Sequence, residues 1–417
     1  MVREIITLQI GGTGQQIGLP FWKNLTREHG VAACEIIPSS RSPVEIKGDA
    51  SVFFSHLKSD EYVPRAIHCD LATTSGLDPA TDCLVPCKAR IISHEGSENC
   101  YARAFHTTGP IVAQKALNYF RKELEMCDCL QGVQFMHSLS GGTGSGLTGL
   151  LIKSISEYLD CGAKCILYSS CLVPSPSHNH LVLESFNSAL SFQDLTEYCH
   201  MVLPFDSDAL HSLTPNAKNP FGVVASCLSA ITSSLRFPGS LSADLRKIHA
   251  NVVPFKNTHF LLSSYAASRR PLSALELVQA ALSPDAVTLS CNPQIERIDS
   301  VQGSRYLASF LAYSGASLSP SEVDFATQTL QKSDSRFDPF FPDWIPNSVS
   351  ASISSNGKAP SLACITNNTC IHSLFDRITN SFDRQLKAKS YVYLYEESGI
   401  HSEELVRACL SLVLLWN

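Results

Sequence analysis

The sequence lacks long apolar runs and any concentration of basic charge. No stretch of its 417 residues approaches the ~18 consecutive apolar residues that cross a bilayer, and the chain opens on charged residues rather than on a signal segment. Lysine and arginine number 32 against 38 aspartates and glutamates, so the formal net charge is −6 and no basic field would attract nucleic acid. Because 44% of the residues are hydrophobic and the acids are dispersed, a disordered acidic protein is excluded as well. We expect a folded protein that acts neither in a membrane nor on nucleic acid.

The 16 cysteines lack the spacing of a zinc site. The closest pairs are Cys127 with Cys129 and Cys83 with Cys87, and neither belongs to a double-knuckle pattern. Disulfide scaffolds are typical of short secreted chains, whereas this chain is long and has no signal segment. We therefore expect reduced cysteines that act as small hydrophobic side chains.

The first half of the chain alternates strand-like and helix-like segments. Short runs rich in β-branched residues predict strands at Glu4–Ile10, 66–71, 133–138 and 165–173. Between them, apolar residues at helical spacing predict helices that begin near Pro110 and Leu147. A repeated order of strand, helix and strand requires parallel crossovers. The sequence thus predicts an α/β fold with a doubly wound parallel sheet.

The second half has a different pattern. Residues 222–235 predict one long helix, whose small residues would allow close packing as a central helix between two domains. Strands are predicted beyond it at 260–262, 306–313, 349–354 and 362–365, with helices at 275–282, 371–386 and 403–415. This mixture predicts a smaller α+β domain followed by C-terminal helices.

Two glycine-rich segments carry the clearest chemical signal. The stronger one reads SLSGGTGSG from Ser138 to Gly146, between a predicted strand and a predicted helix. Glycines let backbone N–H groups converge, and the positive end of the helix dipole adds to them, so this pattern favours a bound phosphate. Thr143 and Ser145 can donate hydroxyl hydrogen bonds to the same phosphate. A second segment, GGTGQQIG at 11–18, repeats the pattern after the first strand.

Neither segment matches the common nucleotide motifs. The glycines of 11–18 are out of register with the dinucleotide fingerprint, and no Walker lysine follows either segment. We therefore expect a nucleotide that is held mainly by backbone amides. A metabolic enzyme that uses a dinucleotide, with Asp70 on a ribose, is the alternative from another class.

The order of motifs resembles the tubulin family over nearly the whole chain. Ser140 to Gly146 resembles the glycine signature of tubulins and of their bacterial cell-division relatives. The other matching segments are 3–18, 21–22, 28–30, 62–66, 99–103, 173–176, 235–239, 243–247 and 343–347. The resemblance implies a GTP-binding domain at 1–221, a central helix and its connection at 222–240, a second α+β domain at 241–368 and C-terminal helices at 369–417.

The resemblance also implies the residues of a nucleotide site. Carried over by position, the nucleotide-binding residues are Gly12, Thr13, Gln16, Asn99, Ser138, Gly141, Gly142, Thr143, Gly144, Ser145, Glu184 and Ser207, and Asp70 lies on the side of a magnesium ion. Several positions depart from the family pattern. Among them, Gly12 replaces a glutamine, Ala72 replaces a glutamate near the metal, and Ser207 replaces an asparagine that reads guanine. The implied ligands are GTP or GDP with a weakened Mg²⁺ site, and the preference for guanine rests on the resemblance alone.

Two acidic residues have a separate interpretation. Glu184 matches a glutamate that contacts ribose in the family, and the alternative is an ordinary solvated acid in the first turn of a helix. Glu98 stands beside Asn99, where the family has a small residue. Because a carboxylate that faced a triphosphate would be repelled, we expect the Glu98 side chain to point away from the nucleotide.

Hydrolysis is expected to need a neighbouring subunit. In the tubulin family a loop of the next subunit brings an acid to the nucleotide, and the matching segment here is 239–247. Lys247 stands where α-type chains have a glutamate, and an ammonium group is not a general base at neutral pH. No catalytic residue is therefore assigned to the chain's own site, and Asp244 is the candidate in the inter-subunit loop. The chain would be a weak GTPase that a neighbour completes.

The implied role is that of a divergent tubulin, β-like or of the specialised zeta, delta or epsilon type. It would be a structural constituent of microtubules or of centriole and basal-body assemblies, in the cytoplasm and cytoskeleton at microtubules, the centrosome or the basal body. Its partners would be other tubulin chains, through longitudinal contacts, and microtubule or centriolar proteins. The alternative is a non-polymerising adaptor or pseudo-GTPase that binds tubulin partners. The long acidic tail of the family has no counterpart in the mostly apolar residues 410–417.

Overall fold

The computed structural model describes residues 3–31, 47–56, 62–72, 87–159, 165–175, 177, 181–215, 219–268, 270, 272–291, 305–315, 318–331, 345, 348–356 and 360–414. The chain divides into two compact units. The first comprises Met1–Ile46, Ala50–Val202 and Phe375–Asn417, and the second comprises Lys47–Asp49 and Leu203–Leu374. None of the helices in the described ranges combines the length and the apolar character that a membrane crossing requires.

The strands of the described residues are named in chain order. They are β1 (Glu4–Ile10), β2 (Phe54–His56), β3 (Tyr62–Pro64), β4 (Ala66–Asp70), β5 (Arg90–Ile92), β6 (Leu130–Ser138), β7 (Ile166–Val173), β8 (Met201–Asp206), β9 (Leu262–Ala267), β10 (Tyr306–Ser314), β11 (Val349–Ser354) and β12 (Ser361–Asn368). The predicted strands 4–10 and 349–354 have these bounds, and the one predicted at 260–262 begins only at Leu262.

The helices are named in the same way. They are α1 (Gly11–His29), α2 (Gly109–Glu125), α3 (Thr148–Leu159), α4 (Glu184–Tyr198), α5 (Ser207–Leu213), α6 (Phe221–Ile231), α7 (Ser233–Arg236), α8 (Leu245–Val252), α9 (Ala274–Ala281), α10 (Pro320–Gln331), α11 (His372–Lys387), α12 (Val392–Glu397) and α13 (Ser402–Leu414). A π-helical turn, Thr143–Leu147, leads into α3.

The helix predicted at 222–235 is wrong as a single helix, because α6 and α7 are separated at Thr232. The Thr232 hydroxyl donates to the carbonyl oxygens of Leu228 at 3.1 Å and Ser229 at 3.2 Å. The Ser233 hydroxyl donates to the Ala230 carbonyl at 2.7 Å. Side-chain hydrogen bonds of this kind compete with the backbone bonds of a helix. Two successive hydroxyl residues thus end α6 where the apolar pattern continues.

A six-stranded sheet has the order β5-β4-β1-β6-β7-β8. β1 pairs in parallel with β4 on one side and with β6 on the other, so that Thr7 lies between Ala66 and Gln134. From β1 the chain proceeds outward to β4 and β5 and then returns to β6, and the direction of winding therefore reverses between β1 and β6. In doubly wound sheets ligands bind outside the carboxyl ends of the strands at this reversal. The predicted α/β parallel sheet is confirmed, and both glycine-rich segments begin at this point.

The second unit contains a four-stranded sheet with the order β11-β10-β12-β9. β10 pairs in parallel with β11 and antiparallel with β12, and β12 pairs antiparallel with β9. Apolar residues of α9, α10 and the sheet form one core, which includes Leu277, Val278, Tyr313, Val323 and Leu330. This mixed sheet with its helices confirms the prediction of a smaller α+β region.

The C-terminal helices from Phe375 onward belong to the first unit. α13 packs against α4. Phe186 of α4 contacts Phe382 of α11 and Tyr395 of α12 edge-on, with ring centroids 5.0 and 5.4 Å apart. The aromatic contacts place α12 close to the start of α4, next to the glycine-rich segment that follows β6.

Candidate functional site

Three backbone segments converge outside the carboxyl ends of β1 and β6. They are the start of α1, the turn at 97–100 and the glycine-rich segment at 140–144. A methyl group on Gly11 would lie 3.7 Å from the Gly144 nitrogen, and one on Gly142 would lie 2.6 Å from both the nitrogen and the oxygen of Cys100. Glycine at 142 is therefore required for the close approach of two backbones.

The first glycine-rich segment is helical. The sequence predicts a bend over 11–18, whereas α1 begins at Gly11 and the only left-handed residue of the segment is Gly11 itself, with φ of 69°. Gly12 and Thr13 are half-buried, and Gln16 is exposed. Within the described residues no side chain caps the amino end of α1. Its first N–H groups are thus available to an external acceptor.

The second glycine-rich segment makes a bend and then the π-helical turn Thr143–Leu147, which has no side-chain cap among the described residues either. A methyl group on Gly141 would meet no atom within 4 Å, so this glycine faces open space. Ser138 and Thr143 are half-buried. Backbone N–H groups next to an open space at a helix start are the arrangement that binds phosphate.

The Ser145 hydroxyl is fully buried and donates to the Gly141 carbonyl at 2.7 Å. A hydroxyl has one proton, so this bond uses the donor that the sequence assigns to phosphate. In this structure Ser145 holds the shape of the segment, and its direct contact with phosphate stays a prediction.

His137 lies beneath the glycine-rich segment and was not singled out by the sequence. Its ring is fully buried, with Nδ1 2.8 Å from the Gly144 carbonyl and Nε2 2.7 Å from the Ser169 hydroxyl. Burial lowers the pKa of His137 to about 4, so the ring is neutral at pH 7. Because a carbonyl only accepts, Nδ1 carries the proton and Nε2 accepts from Ser169. The available sequence signal was a histidine near the end of a strand that leads into the glycine-rich segment.

The third segment contains two successive left-handed residues, Glu98 and Asn99, with φ of 51° and 57°. The Cys100 N–H closes this turn by donating to the Ser97 carbonyl at 2.9 Å. Asn99 is exposed. The Glu98 carboxylate forms an ion pair with Arg103 at 2.6 Å. This ion pair gives the carboxylate a partner within the chain, and the expectation that Glu98 points away from the nucleotide stays a prediction.

Asn187 connects these segments, although no pattern in the sequence singled it out. Its buried side-chain amide donates to the carbonyl oxygens of Asn99 at 2.7 Å and Ser140 at 2.9 Å. Its Oδ1 accepts from the Tyr101 N–H at 2.9 Å and from the Tyr395 hydroxyl at 2.6 Å. One side chain thus fixes the turn, the glycine-rich segment and α12 relative to each other.

Glu184 is buried at the start of α4. The Ser140 hydroxyl donates to its Oε1 at 2.6 Å. This excludes the alternative of an ordinary solvated acid. The carboxylate is instead positioned directly beside the glycine-rich segment.

Asp70 ends β4 and is buried. Its Oδ1 accepts from the Ala72 N–H at 3.3 Å, whereas Oδ2 has no hydrogen-bond partner among the described residues. Burial raises the pKa of Asp70. Nearby on the same strand, His68 contacts the Gln15 amide of α1, and burial lowers the pKa of His68 to about 4.

The described residues contain no group of three or more histidine, cysteine, aspartate or glutamate side chains that could together hold a metal ion. Magnesium, however, is commonly bound by one or two carboxylates together with water and the phosphates of a substrate. The buried, unpartnered Oδ2 of Asp70 fits such a single protein ligand.

Ser207 and Asp244 belong to the second unit. Ser207 is the first residue of α5 and is half-buried. Asp244 caps α8, because its carboxylate accepts from the Lys247 N–H at 3.0 Å. This bond gives Asp244 a structural role, and its part in catalysis at a neighbour stays a prediction.

The chain matches two family descriptions. Residues 4–215 match the GTPase domain of the Tubulin/FtsZ family, and residues 257–380 match the tubulin C-terminal domain. The matched part of the first unit contains the three converging segments.

Three similar proteins show how far the likeness extends. The tubulin beta chain of Porphyra purpurea is 32% identical over 429 residues, and that of Pyropia yezoensis is 33% identical over 430; in both, the alignment covers 98% of this chain and 90% of the relative. The tubulin beta-1 chain of Homo sapiens is 32% identical over 430 residues, with 98% and 91% covered. This chain therefore belongs to the tubulin family, as a divergent member.

Proposed function

We propose that this tubulin binds a guanine nucleotide, with the phosphates in the crevice outside β1 and β6. The observation that carries the proposal is the convergence of two uncapped helix starts on the open space at Gly141. Anionic phosphate is stabilised by such N–H groups and by the positive ends of the two helix dipoles. The family match to a GTPase domain over the same residues supports GTP or GDP as the ligand.

The side chains around this space have distinct roles in the proposal. The half-exposed hydroxyls of Thr13 and Thr143, and the exposed amides of Gln16 and Asn99, donate hydrogen bonds to phosphate oxygens. The buried Glu184 carboxylate accepts from a ribose hydroxyl.

Asp70 would hold Mg²⁺ through Oδ2. When bound, this ion would neutralise part of the negative charge of the phosphates. The metal would compete with the proton for Asp70, and the nearby cation would therefore lower the pKa that burial has raised.

Substitution of Gly141 by alanine tests the site with little risk to the fold. A methyl group there enters open space, whereas one on Gly144 would lie 2.5 Å from the Ser138 carbonyl and would disturb the backbone. We expect Gly141→Ala to weaken GTP binding at least tenfold, measured by titration of the nucleotide-free protein with a fluorescent GTP analogue.

The matched control is Gly222→Ala in α6, where a methyl group also meets no atom within 4 Å. Its affinity for GTP should equal that of the parent protein. If Gly141→Ala binds GTP as tightly as Gly222→Ala does, or if the parent protein binds none, the proposed phosphate position is wrong.

We further propose that the protein is a structural constituent of microtubules or of centriole and basal-body assemblies, with other tubulins as longitudinal partners. Lys247 of α8 offers an ammonium group where a general base is needed. Lys247 therefore does not act as the catalytic acid at a neighbour, and Asp244 remains the candidate in this segment. The chain's own GTP is cleaved only when a neighbour supplies an acid.

Co-assembly separates this role from that of a non-polymerising adaptor. Purified chain is mixed with α- and β-tubulin under polymerising conditions and pelleted, and GTP turnover is recorded in the same samples. We expect the chain to be recovered in the pellet in proportion to the amount of polymer. GTP turnover is expected only in the mixture with α- and β-tubulin. Soluble binding of tubulin with reduced polymer mass would identify an adaptor instead.

A further inference from the structure

Two cysteine side chains meet in the second unit, far along the chain from each other. The sulfur atoms of Cys291 and Cys370 are 3.6 Å apart, although the residues are 79 positions apart in sequence. Cys291 is half-buried, and Cys370 is buried with 8% of its surface exposed. Neither residue lies in the nucleotide site described above.

The backbone around Cys370 is firmly held. Cys370 belongs to the 3-10 turn Thr369–Ile371 that follows β12, and its N–H donates to the Asn368 side chain at 2.9 Å. The Thr369 N–H donates to the carbonyl of Arg305, at the start of β10, at 3.0 Å. In return, the Arg305 N–H donates to the Thr369 hydroxyl at 2.9 Å. The backbone position of Cys370 is therefore held by these hydrogen bonds.

The Cys291 sulfur accepts the Cys370 S–H. Together with burial, this contact raises the pKa of Cys370 well above its usual range, so the Cys370 sulfur stays protonated. Cys291 is the more exposed of the two and is the one that a reagent in solution reaches first. An accessible thiol with a second thiol beside it is the arrangement of a reacting and a resolving cysteine.

We propose that Cys291 and Cys370 form an oxidisable dithiol that hydrogen peroxide converts into an intramolecular disulfide. The Cys291 sulfur attacks one oxygen of hydrogen peroxide, the O–O bond breaks, and the S–H proton passes to the departing oxygen, so that a sulfenic acid forms as water leaves. The Cys370 sulfur then attacks the sulfenic sulfur, the S–O bond breaks, and a second water carries away the Cys370 proton. Two thiols lose two electrons and two protons in total, and one peroxide is reduced to two waters.

The geometry suits this step. A disulfide needs the sulfurs at about 2.05 Å, which is a combined movement of about 1.5 Å from their present contact. Small rotations of the half-buried Cys291 side chain can supply most of it, without displacement of the held turn at 369–371. A sulfenic acid on Cys291 would thus be captured before it is oxidised further.

The native full-length protein tests the proposal directly. It is treated with hydrogen peroxide, free thiols are blocked with N-ethylmaleimide after denaturation, and peptides are mapped without reduction. We expect a peptide pair joined through Cys291 and Cys370, lighter than the sum of its parts by two hydrogen atoms and released by dithiothreitol. Cys370→Ser should instead accumulate sulfinic acid on Cys291, since no resolving thiol remains.

Cys129→Ser is the matched control, because Cys129 is also a half-buried free cysteine. It should leave the yield of the joined peptides unchanged. Two outcomes on the parent protein would overturn the proposal. In one, Cys291 and Cys370 are both recovered as blocked thiols, and in the other, Cys291 is recovered as sulfinic acid without the joined peptide. The result on the parent protein decides the matter even if a variant fails to fold.

Discussion

The two glycine-rich segments follow neighbouring strands and share a composition, yet they differ in structure. The first enters α1 at once, and the second makes a bend and a π-helical turn at Thr143–Leu147. The first is held by close backbone packing, since a methyl group on Gly14 would lie 2.4 Å from the Met136 carbonyl. The second is also closely packed, since a methyl group on Gly142 would lie 2.6 Å from the Cys100 backbone. In addition, it is held by the side chains of Ser145, His137 and Asn187. Glycine content thus permits close approach, and neighbouring side chains decide the shape.

Gly14→Ala should have the largest effect, because it attacks the packing of the first segment. Its methyl group would also lie 3.0 Å from the Gln9 carbonyl carbon, so backbone atoms of both β6 and β1 resist it. We expect a loss of about 4 kcal/mol in the free energy of unfolding, despite the better helix propensity of alanine.

Denaturant unfolding of the nucleotide-free protein measures this loss. Gly141→Ala is the comparison in the second segment, where the methyl group meets open space and stability should stay within about 0.5 kcal/mol of the parent. Equal losses at the two positions would mean that packing does not distinguish the segments.

Asn187→Ala should have the next largest effect, because it removes four hydrogen bonds from the second segment and its neighbours. The Tyr101 N–H, the Tyr395 hydroxyl and two carbonyl oxygens would be left without their partner. We expect a loss of about 3 kcal/mol in the free energy of unfolding. The same variant should weaken GTP binding, since the turn at 97–100 and the glycines lose their common support.

Asn118→Ala on the exposed face of α2 is the control for loss of an asparagine, and its stability should stay within about 0.5 kcal/mol of the parent. An Asn187→Ala protein with unchanged stability and unchanged GTP affinity would contradict the role of this side chain.

The sequence predicted where the site lies better than it predicted how the site is held. β1 and β6 are strand-like runs, each followed within a few residues by a glycine-rich segment, so local pattern was enough to locate the crevice. The helical start of α1 was missed, because glycine favours bends and only the packing of Gly14 against β6 overrides this preference. The bond from Tyr395 to Asn187 joins residues 208 positions apart, and no local pattern reports such a partner.

His137→Gln tests the buried imidazole through the pH dependence of stability. Folding lowers the pKa of His137 from 6.5 to about 4, so between these values the unfolded chain binds the extra proton and stability falls as the pH falls. As the pH falls from 7 to 5, this histidine lowers the free energy of unfolding by about 2 kcal/mol. The variant should lose that part of the pH dependence.

The measurement compares unfolding free energies at pH 7, 6 and 5 in the parent, His137→Gln and His94→Gln, which replaces an exposed histidine. Burial raises the pKa of Asp194 to about 7, so Asp194 makes the protein more stable as the pH falls, which is opposite to the effect of His137. Comparing variants cancels the effect of Asp194, because all of them contain it. If the unfolding free energy of His137→Gln depends on pH in the same way as that of His94→Gln, the buried neutral ring does not cause the loss of stability at low pH.

Ser145→Ala should have the smallest effect and is the most direct test of how the second segment keeps its bend. The Gly141 carbonyl loses its bond from the Ser145 hydroxyl, and we expect a loss of about 1 kcal/mol in the free energy of unfolding. Ser154→Ala is matched to it, because the Ser154 hydroxyl of α3 donates to the carbonyl four residues earlier at 2.8 Å in the same way but within a regular helix. Both carbonyls keep a backbone partner, which for Gly141 is the Ser145 N–H at 3.0 Å. Ser154 is half-buried whereas Ser145 is fully buried, so water can replace the lost bond at Ser154 and the control should lose less than about 0.5 kcal/mol. A larger loss for Ser154→Ala than for Ser145→Ala would mean that the bend is held by its backbone alone, as α1 is.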